Sequence, residues 1–170
     1  MILPWRDRHV TDDGPAISTS LTAAEAECLR TLATGKRVLE IGAAYGYSTV
    51  LMALVAEHIT SIDPHTNLDS LAALRANLRA YGCQATTLVG TSQQRLPALK
   101  GTFDLVFIDG DHSHEAVLHD VKATQRLRAK DGILACHDYG EDTCDGVKTA
   151  LDAIYPEGPR RLVDTLWLSA

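Results

Sequence analysis

Short apolar runs alternate with stretches of helical spacing along the chain. The runs at 37–41, 59–63, 85–89, 103–108 and 133–136 suit strands buried on both faces. Between them, apolar residues recur at three- and four-residue intervals, the spacing of one helix face. Ala24, Cys28, Leu29 and Leu32 predict a helix over 23–34, and Val50, Leu51, Leu54 and Val55 one over 47–57. Leu68, Leu71, Leu74 and Leu78 predict a third over 67–80, and further helices are read at 114–128 and 147–154, with a short helical stretch at 95–99.

Punctuation agrees with this reading. Thr22 and Glu25 form a capping box, and Gly35 ends the first helix. Pro64 stops the second strand, and Ser113 can cap the helix that follows the fourth. Residues 1–19, broken by proline and glycine, read as an extended segment, and 161–168 as two short strands bent near Asp164 and Thr165.

Alternating strands and helices predict an α/β fold: one Rossmann-like, doubly wound sheet, mostly parallel, with helices on both faces and a strand-like tail. The 170 residues fit a single domain, 1–170. Ligands of such sheets bind beyond the carboxyl ends of the strands. Glu40, Asp63, Ser92, Asp109, His137 and Asp138 all fall there.

The stretch 38–50 carries the sharpest signal. An apolar strand meets Gly42, which allows a tight turn, and Gly46, which lets the backbone approach a ligand; helical spacing resumes from Ser48. Glu40, an acid inside the strand, needs a ligand or a donor. A dinucleotide fingerprint would place small residues at Gly42, Ala44 and position 47. Tyr47 is too large for the third place, which argues against a nicotinamide-dependent oxidoreductase. No Gly-Lys-Ser/Thr follows, so the loop is not a P-loop. Asp63, about 20 residues beyond Gly42 at the end of the second strand, suits the hydroxyls of a ribose; capping the next loop with Pro64 is the plainer alternative.

Composition narrows the class. The net charge of −6 and the absence of a basic run argue against nucleic acid as a partner, and no apolar stretch approaches the ~18 residues of a membrane span. The N-terminus lacks the order of a signal peptide. Cys28, Cys83, Cys136 and Cys144 show no zinc-like spacing and read as reduced thiols of a cytoplasmic protein.

The acidic residue before Gly-x-Ala-x-Gly at 40–46 resembles motif I of the class I S-adenosylmethionine (SAM) methyltransferases. Phe-Ile-Asp-Gly-Asp-His-Ser at 107–113, His-Asp-Tyr at 137–139 and Gly-Val-Lys at 146–148 resemble the small O-methyltransferases of the macrocin and cephalosporin-tailoring type. Gly-Thr-Ser-Gln at 90–93 resembles catechol O-methyltransferase. The resemblance covers about residues 20–155. It implies that Glu40 and Gly42, in a loop with Ala44, Gly46 and Tyr47, line the methionine end of SAM. Ser48 would bind the methionine carboxylate, Asp63 the ribose, and Ser92 and Gln93 the adenine, with Asp109 between cofactor and metal.

Three departures stand out. His112 replaces the lysine of the catechol-type enzymes, His137-Asp138 replaces their Asp-Asn, and His114 stands where the macrocin-like group has tyrosine. The chemistry therefore rests on these residues themselves. A hydroxyl acceptor must lose its proton. His112 can act as general base near neutral pH. A divalent cation on Asp109 and Asp138, joined by His137, can acidify a bound hydroxyl. Oxygen ligands suit Mg²⁺, and a histidine ligand extends the choice to Mn²⁺ or another transition metal. Asp111 reads as a loop brace, His114 and His119 as polar-face helix residues, and Cys144 as incidental. The expectation is O-methylation of a small molecule. A non-catalytic SAM-binding subunit is the alternative. The site is covered either by residues 1–19 with the 139–146 loop or by a second subunit of a homodimer.

Overall fold

The computed structural model describes residues 6–67 and 69–170. A hairpin of β1 (Arg6–His9) and β2 (Ala16–Thr19) leads in. It precedes α1 (Ala23–Ala33), β3 (Arg37–Ile41), α2 (Tyr47–Ala53), β4 (His58–Asp63), α3 (Ser70–Ala80) and β5 (Thr86–Val89). Then come α4 (Ser92–Arg95), β6 (Phe103–Ile108), α5 (His114–Thr124), β7 (Arg128–Cys136), α6 (Asp145–Ile154), β8 (Arg161–Val163) and β9 (Leu166–Leu168). The seven strands from β3 onward form one sheet in the order β5-β4-β3-β6-β7-β9-β8. β3 to β7 pair in parallel, and the tail adds β9 and β8 antiparallel.

Strand alternation sorts the core onto two faces. Val38, Leu105 and Phe107 pack with Leu29 of α1, Met52 of α2 and Leu74 of α3. Leu39, Val106 and Leu134 face the other way, onto Val117 and Val121 of α5 and Leu151 of α6. Each fully buried aliphatic side chain contributes about 1.5–3 kcal/mol, so the central strand is held from both sides, and helices cover both faces as expected.

The differences from the sequence reading have local causes. Ala24 is exposed, and Glu25 and Ala26 are the buried residues of that turn. The capping box is present, and it turns Glu25 inward. α2 stops at Ala53 rather than 57, because the chain bends to let Val55 accept from Gly35 and Lys36 from Glu57 on the way into β4. α3 starts at Ser70; Leu68 lies outside the described residues, as do 1–5. The turn after β5 begins at Ser92 rather than 95, where Thr91 and Gln94 build a second capping box. α5 ends at Thr124, and β7 starts at Arg128, five residues before position 133, where Arg128 pairs with Phe103 ahead of a register shift. α6 begins at Asp145, two residues before 147. Residues 6–19 fold into a hairpin instead of remaining simply extended.

Candidate active site

The strand order reverses between β3 and β6, the switch point where such sheets open a crevice. A cavity of about 650 Å³ lies at the carboxyl edge there. Backbone bonds carry the ladder just past the strand ends: Gly42 N–H to Ile62, Asp109 N–H to Ile41 and His137 N–H to Ile108. These bonds fix where each loop leaves the sheet.

The glycine loop forms one end. Gly42 has φ +92°, and a Cβ there would sit 1.9 Å from the carbonyl oxygen of Asp109. Only glycine lets β3 and β6 release their loops this close together. Asp63 Oδ2 accepts from the amides of Ala43 and Ala44 at 2.8 and 2.9 Å, and its Oδ1 accepts from His65 N–H at 2.6 Å. Asp63 thus braces the loop and lines the cavity. Ala44 and Tyr47 line it too. Gly46 does not: its φ of +91° starts α2, and a Cβ there would press on Leu74. That glycine admits the start of α2 against Leu74.

Glu40 has met donors, one of the two kinds of partner its place in the strand calls for. It is wholly buried beneath the loop, outside the cavity wall. Ser48 Oγ donates to its Oε1 at 2.5 Å and Thr49 Oγ1 to its Oε2 at 2.6 Å. Burial pushes its pKa up to about 7 despite those donors. Its visible task is to hold the first turn of α2. Ser48 still reaches the cavity wall, but its hydroxyl is committed to Glu40.

Ser92 and Gln93 line the β5 end. At the β6–β7 end four groups converge. His137 is buried, with Nε2 3.1 Å from Glu25 Oε2 and Nδ1 3.3 Å from both Asp109 Oδ1 and Asp138 Oδ1. That Nδ1 has no hydrogen-bond partner of good geometry. Burial opposes a charged ring, but Asp109, Asp138 and Glu25 together raise its pKa far above the ordinary value. Burial would raise the Asp109 pKa as well, yet His137 and His112 hold it well below the usual carboxylate range. Asp138 sits at φ +60°, left-handed backbone that a non-glycine residue seldom adopts. Such strain persists where the surroundings over-determine it.

His112 stands at the cavity wall, its side chain 37 % exposed, 3.2 Å from Asp138 Oδ2 and 3.6 Å from Asp109 Oδ1. The neighbouring Asp109 carboxylate raises its pKa; burial opposes this, and the charge of Asp138 adds to the rise. Its Nδ1 meets Cys144 Sγ at 3.2 Å. Cys144 is therefore no bystander: it lines the cavity and orients His112. Asp111 braces the loop through Ser113 N–H at 2.8 Å, as read from the sequence. His114 bonds Thr149 across the α5–α6 contact.

A methyltransferase domain model matches residues 39–139, more than half of the chain. The chain belongs to that methyltransferase family. No curated protein sequence matches it. Among solved structures, this methyltransferase is similar to cofactor-bound Rv0187 from MTB. The identity is 25 %, over 78 % of this chain and 67 % of that one, with a TM-score of 0.69. It is also similar to an O-methyltransferase of Bacillus cereus in complex with SAH (16 % identity, 80 % and 70 % covered, TM-score 0.67). A third is the O-methyltransferase TomG of Streptomyces achromogenes, involved in tomaymycin synthesis and in complex with SAM (19 %, 80 % and 70 %, 0.68). The last two share its fold.

Ser18 and Thr19, continued by Ser20 and Leu21, form one wall of this methyltransferase's cavity, and Glu141, Thr143 and Cys144 form another, so the segments 1–19 and 139–146 expected over the site do flank it, with Ser20 and Leu21 added. Thr49 shares the load on Glu40. Glu25 orients His137 from 112 positions away, a contact that no local pattern announces. Among the described residues, no helix is long and apolar enough to cross a membrane.

Proposed function

We propose that the chain, acting as one catalytic domain, binds SAM in this cavity and methylates a hydroxyl of a small molecule. The observation that carries this is the cavity's two unlike ends. An acid-braced glycine loop with Ser92 and Gln93 suits a nucleoside, and a cluster of two carboxylates and two histidines suits proton removal. Bound SAM supplies an activated methyl on a sulfonium, and a bound divalent cation supplies positive charge that acidifies a hydroxyl.

Asp63 keeps the loop amides in place and offers its remaining lone pair, on Oδ1, to the ribose. Ser92 and Gln93 flank the adenine, and the open wall of Ala44, Tyr47 and Ser48 faces the methionine portion. His112 takes the acceptor's proton as the methyl carbon forms its bond to oxygen and leaves sulfur. Holding the acceptor in line with the S–CH₃ bond supplies several kcal/mol or more of the rate enhancement.

The cluster fits a cation. Asp109, His137 and Asp138 present ligand atoms within 4.8 Å of one another. The unpartnered His137 Nδ1 faces both carboxylates, while Glu25 holds the opposite nitrogen. A carboxylate behind a ligating histidine fixes ring orientation and tautomer. A nitrogen donor beside two carboxylates extends the choice from Mg²⁺ to Mn²⁺ or a related transition metal. The four cysteines are free thiols, which supports a cytoplasmic setting.

Thermal shift with SAM, S-adenosylhomocysteine (SAH), NAD⁺ and NADP⁺ tests the reading. A ligand at a hundred times its Kd stabilises the fold by about 2.7 kcal/mol. A shift with SAM and SAH alone is expected; one with the nicotinamide ligands alone overturns the proposal. Activity that survives EDTA undiminished removes the cation.

A further inference from the structure

The turn before α6 supplies a ligand set that the steps above leave unused. Gly146 sets its position: a Cβ there would come within 2.3 Å of the His112 carbonyl oxygen and 2.5 Å of the His114 amide nitrogen. Only glycine lets the start of α6 abut the loop after β6 this closely. The approach brings Cys144, just ahead of α6, onto His112, with Sγ 3.2 Å from Nδ1. On the ring's other nitrogen, Asp138 Oδ2 lies 3.2 Å from Nε2. Cys144, His112 and Asp138 each present a ligand atom within 4.8 Å of the others, and all three line the cavity.

This group is distinct from the cluster of Asp109, His137 and Asp138. Asp138 faces the two with different oxygens, Oδ1 toward His137 and Oδ2 toward His112. A sulfur ligand also changes the metal: thiolate and imidazole donors suit Zn²⁺, whereas Mg²⁺ takes oxygen. Nitrogen and sulfur ligands of one tetrahedral Zn²⁺, bound at about 2.0 and about 2.3 Å, stand about 3.5 Å apart, so the Cys144–His112 spacing needs little change. The carboxylates of Asp109 and Asp111 line the same cavity, and among the described residues no lysine or arginine does. The local field therefore favours a cation.

We propose that Cys144, His112 and Asp138 form a Zn²⁺ site, with water as the fourth ligand. The ion replaces the thiol proton, which leaves to solvent, and Sγ binds as thiolate. Resting on the reading of His112 as base, occupancy takes the single lone pair of the neutral ring and stops turnover; the site itself needs no such reading.

Co²⁺, a spectroscopic stand-in for Zn²⁺, tests the site in the full chain. Stoichiometric Co²⁺ should give a near-ultraviolet thiolate-to-cobalt charge-transfer band. Zn²⁺ should abolish that band, and excess Mg²⁺ should leave it unchanged. The band should vanish in Cys144→Ser and persist in Cys83→Ser, which alters a half-buried thiol elsewhere. Zn²⁺ should also protect Cys144 of the wild type from iodoacetamide, followed by mass spectrometry of its peptide, a readout that needs no variant. No charge-transfer band, a band that persists in Cys144→Ser, or a Cys144 still alkylated at the full rate in saturating Zn²⁺ overturns the proposal. Visible cobalt bands without the thiolate band place the ion on Asp109 and His137 and overturn it as well. Full turnover with the thiolate band present overturns the inhibition, and with it the reading of His112 as base, and supports the metal site alone.

Discussion

His137 Nε2 lies 3.1 Å from Glu25 Oε2, and neither side chain is reached by solvent. This contact ties the capping box of α1 to the end of β7. Glu25 accepts further bonds from Thr22 N–H and from the amide and hydroxyl of Thr165, so the start of α1, the site and the tail share one carboxylate. In the cation-free chain, Glu25→Gln leaves a buried imidazolium short of a partner and should cost about 3–5 kcal/mol in denaturant unfolding. The acid dependence carries a sign. Burial would raise the Glu25 pKa, but His137 and the Thr22 and Thr165 donors lower it from 4.5 to about 2. Its contribution is full above pH 4.5 and lost as pH falls through 2. The stability gap between wild type and Glu25→Gln should shrink across that window; a constant gap would count against the pair.

Glu40 behaves in the opposite sense. Its folded pKa is raised from 4.5 to about 7, so the folded state holds an extra proton between those values. The stability this brings is present below pH 4.5 and lost as pH rises through 7. Melting of Glu40→Gln against wild type should therefore favour the variant more at pH 7.5 than at pH 4.5. A difference independent of pH would show that Glu40 ionises as it does in water.

Two glycines separate a close approach from mere backbone preference. Gly42→Ala drives a methyl into the Asp109 carbonyl at 1.9 Å and should cost about 3 kcal/mol or more. Gly82→Ala, at φ +63° with open space around it, should cost only about 1–2 kcal/mol. Equal losses in urea titrations would sink the packing explanation.

Ala44 is held at φ +44°, the left-handed region that glycine enters freely. Ala44→Gly relieves about 1 kcal/mol, less the entropy cost of the added chain freedom. Its melting temperature should equal or slightly exceed that of the wild type, with SAH affinity kept, because the amide to Asp63 remains.

His112→Ala should retain SAH binding and lose about 100- to 10,000-fold in kcat. In the cation-free chain Asp109 and Asp138 raise the His112 pKa from 6.5, so its ring titration, followed by NMR in EDTA, should have its midpoint alkaline of 6.5. A midpoint at or below 6.5 would sink that pairing, and full turnover in the variant places the base elsewhere.

Much of the site was legible because the sheet delivers it by a rule. Asp63, Ser92, Asp109 and His137-Asp138 were found as polar residues directly after apolar runs, and the fold brings those strand ends to one edge. Motif position shows that Glu40 and Gly46 matter, not which way they point. Glu40 turns under the loop to Ser48 and Thr49, and Gly46 turns to Leu74. Element ends drifted where side chains decided them, as at Thr91 and Gln94, whose capping box starts α4 early.

Periodicity and glycine placement, both local properties of the chain, determined the alternating strands and helices, the doubly wound sheet and the edge on which ligands gather. Tertiary structure alone decided the charges. Whether an acid is a strut, a brace or a ligand depends on burial and on partners far away in sequence. Glu25 meets His137 over 112 positions and Cys144 meets His112 over 32. Desolvation and pairing are properties of the packed interior, and no local pattern encodes them.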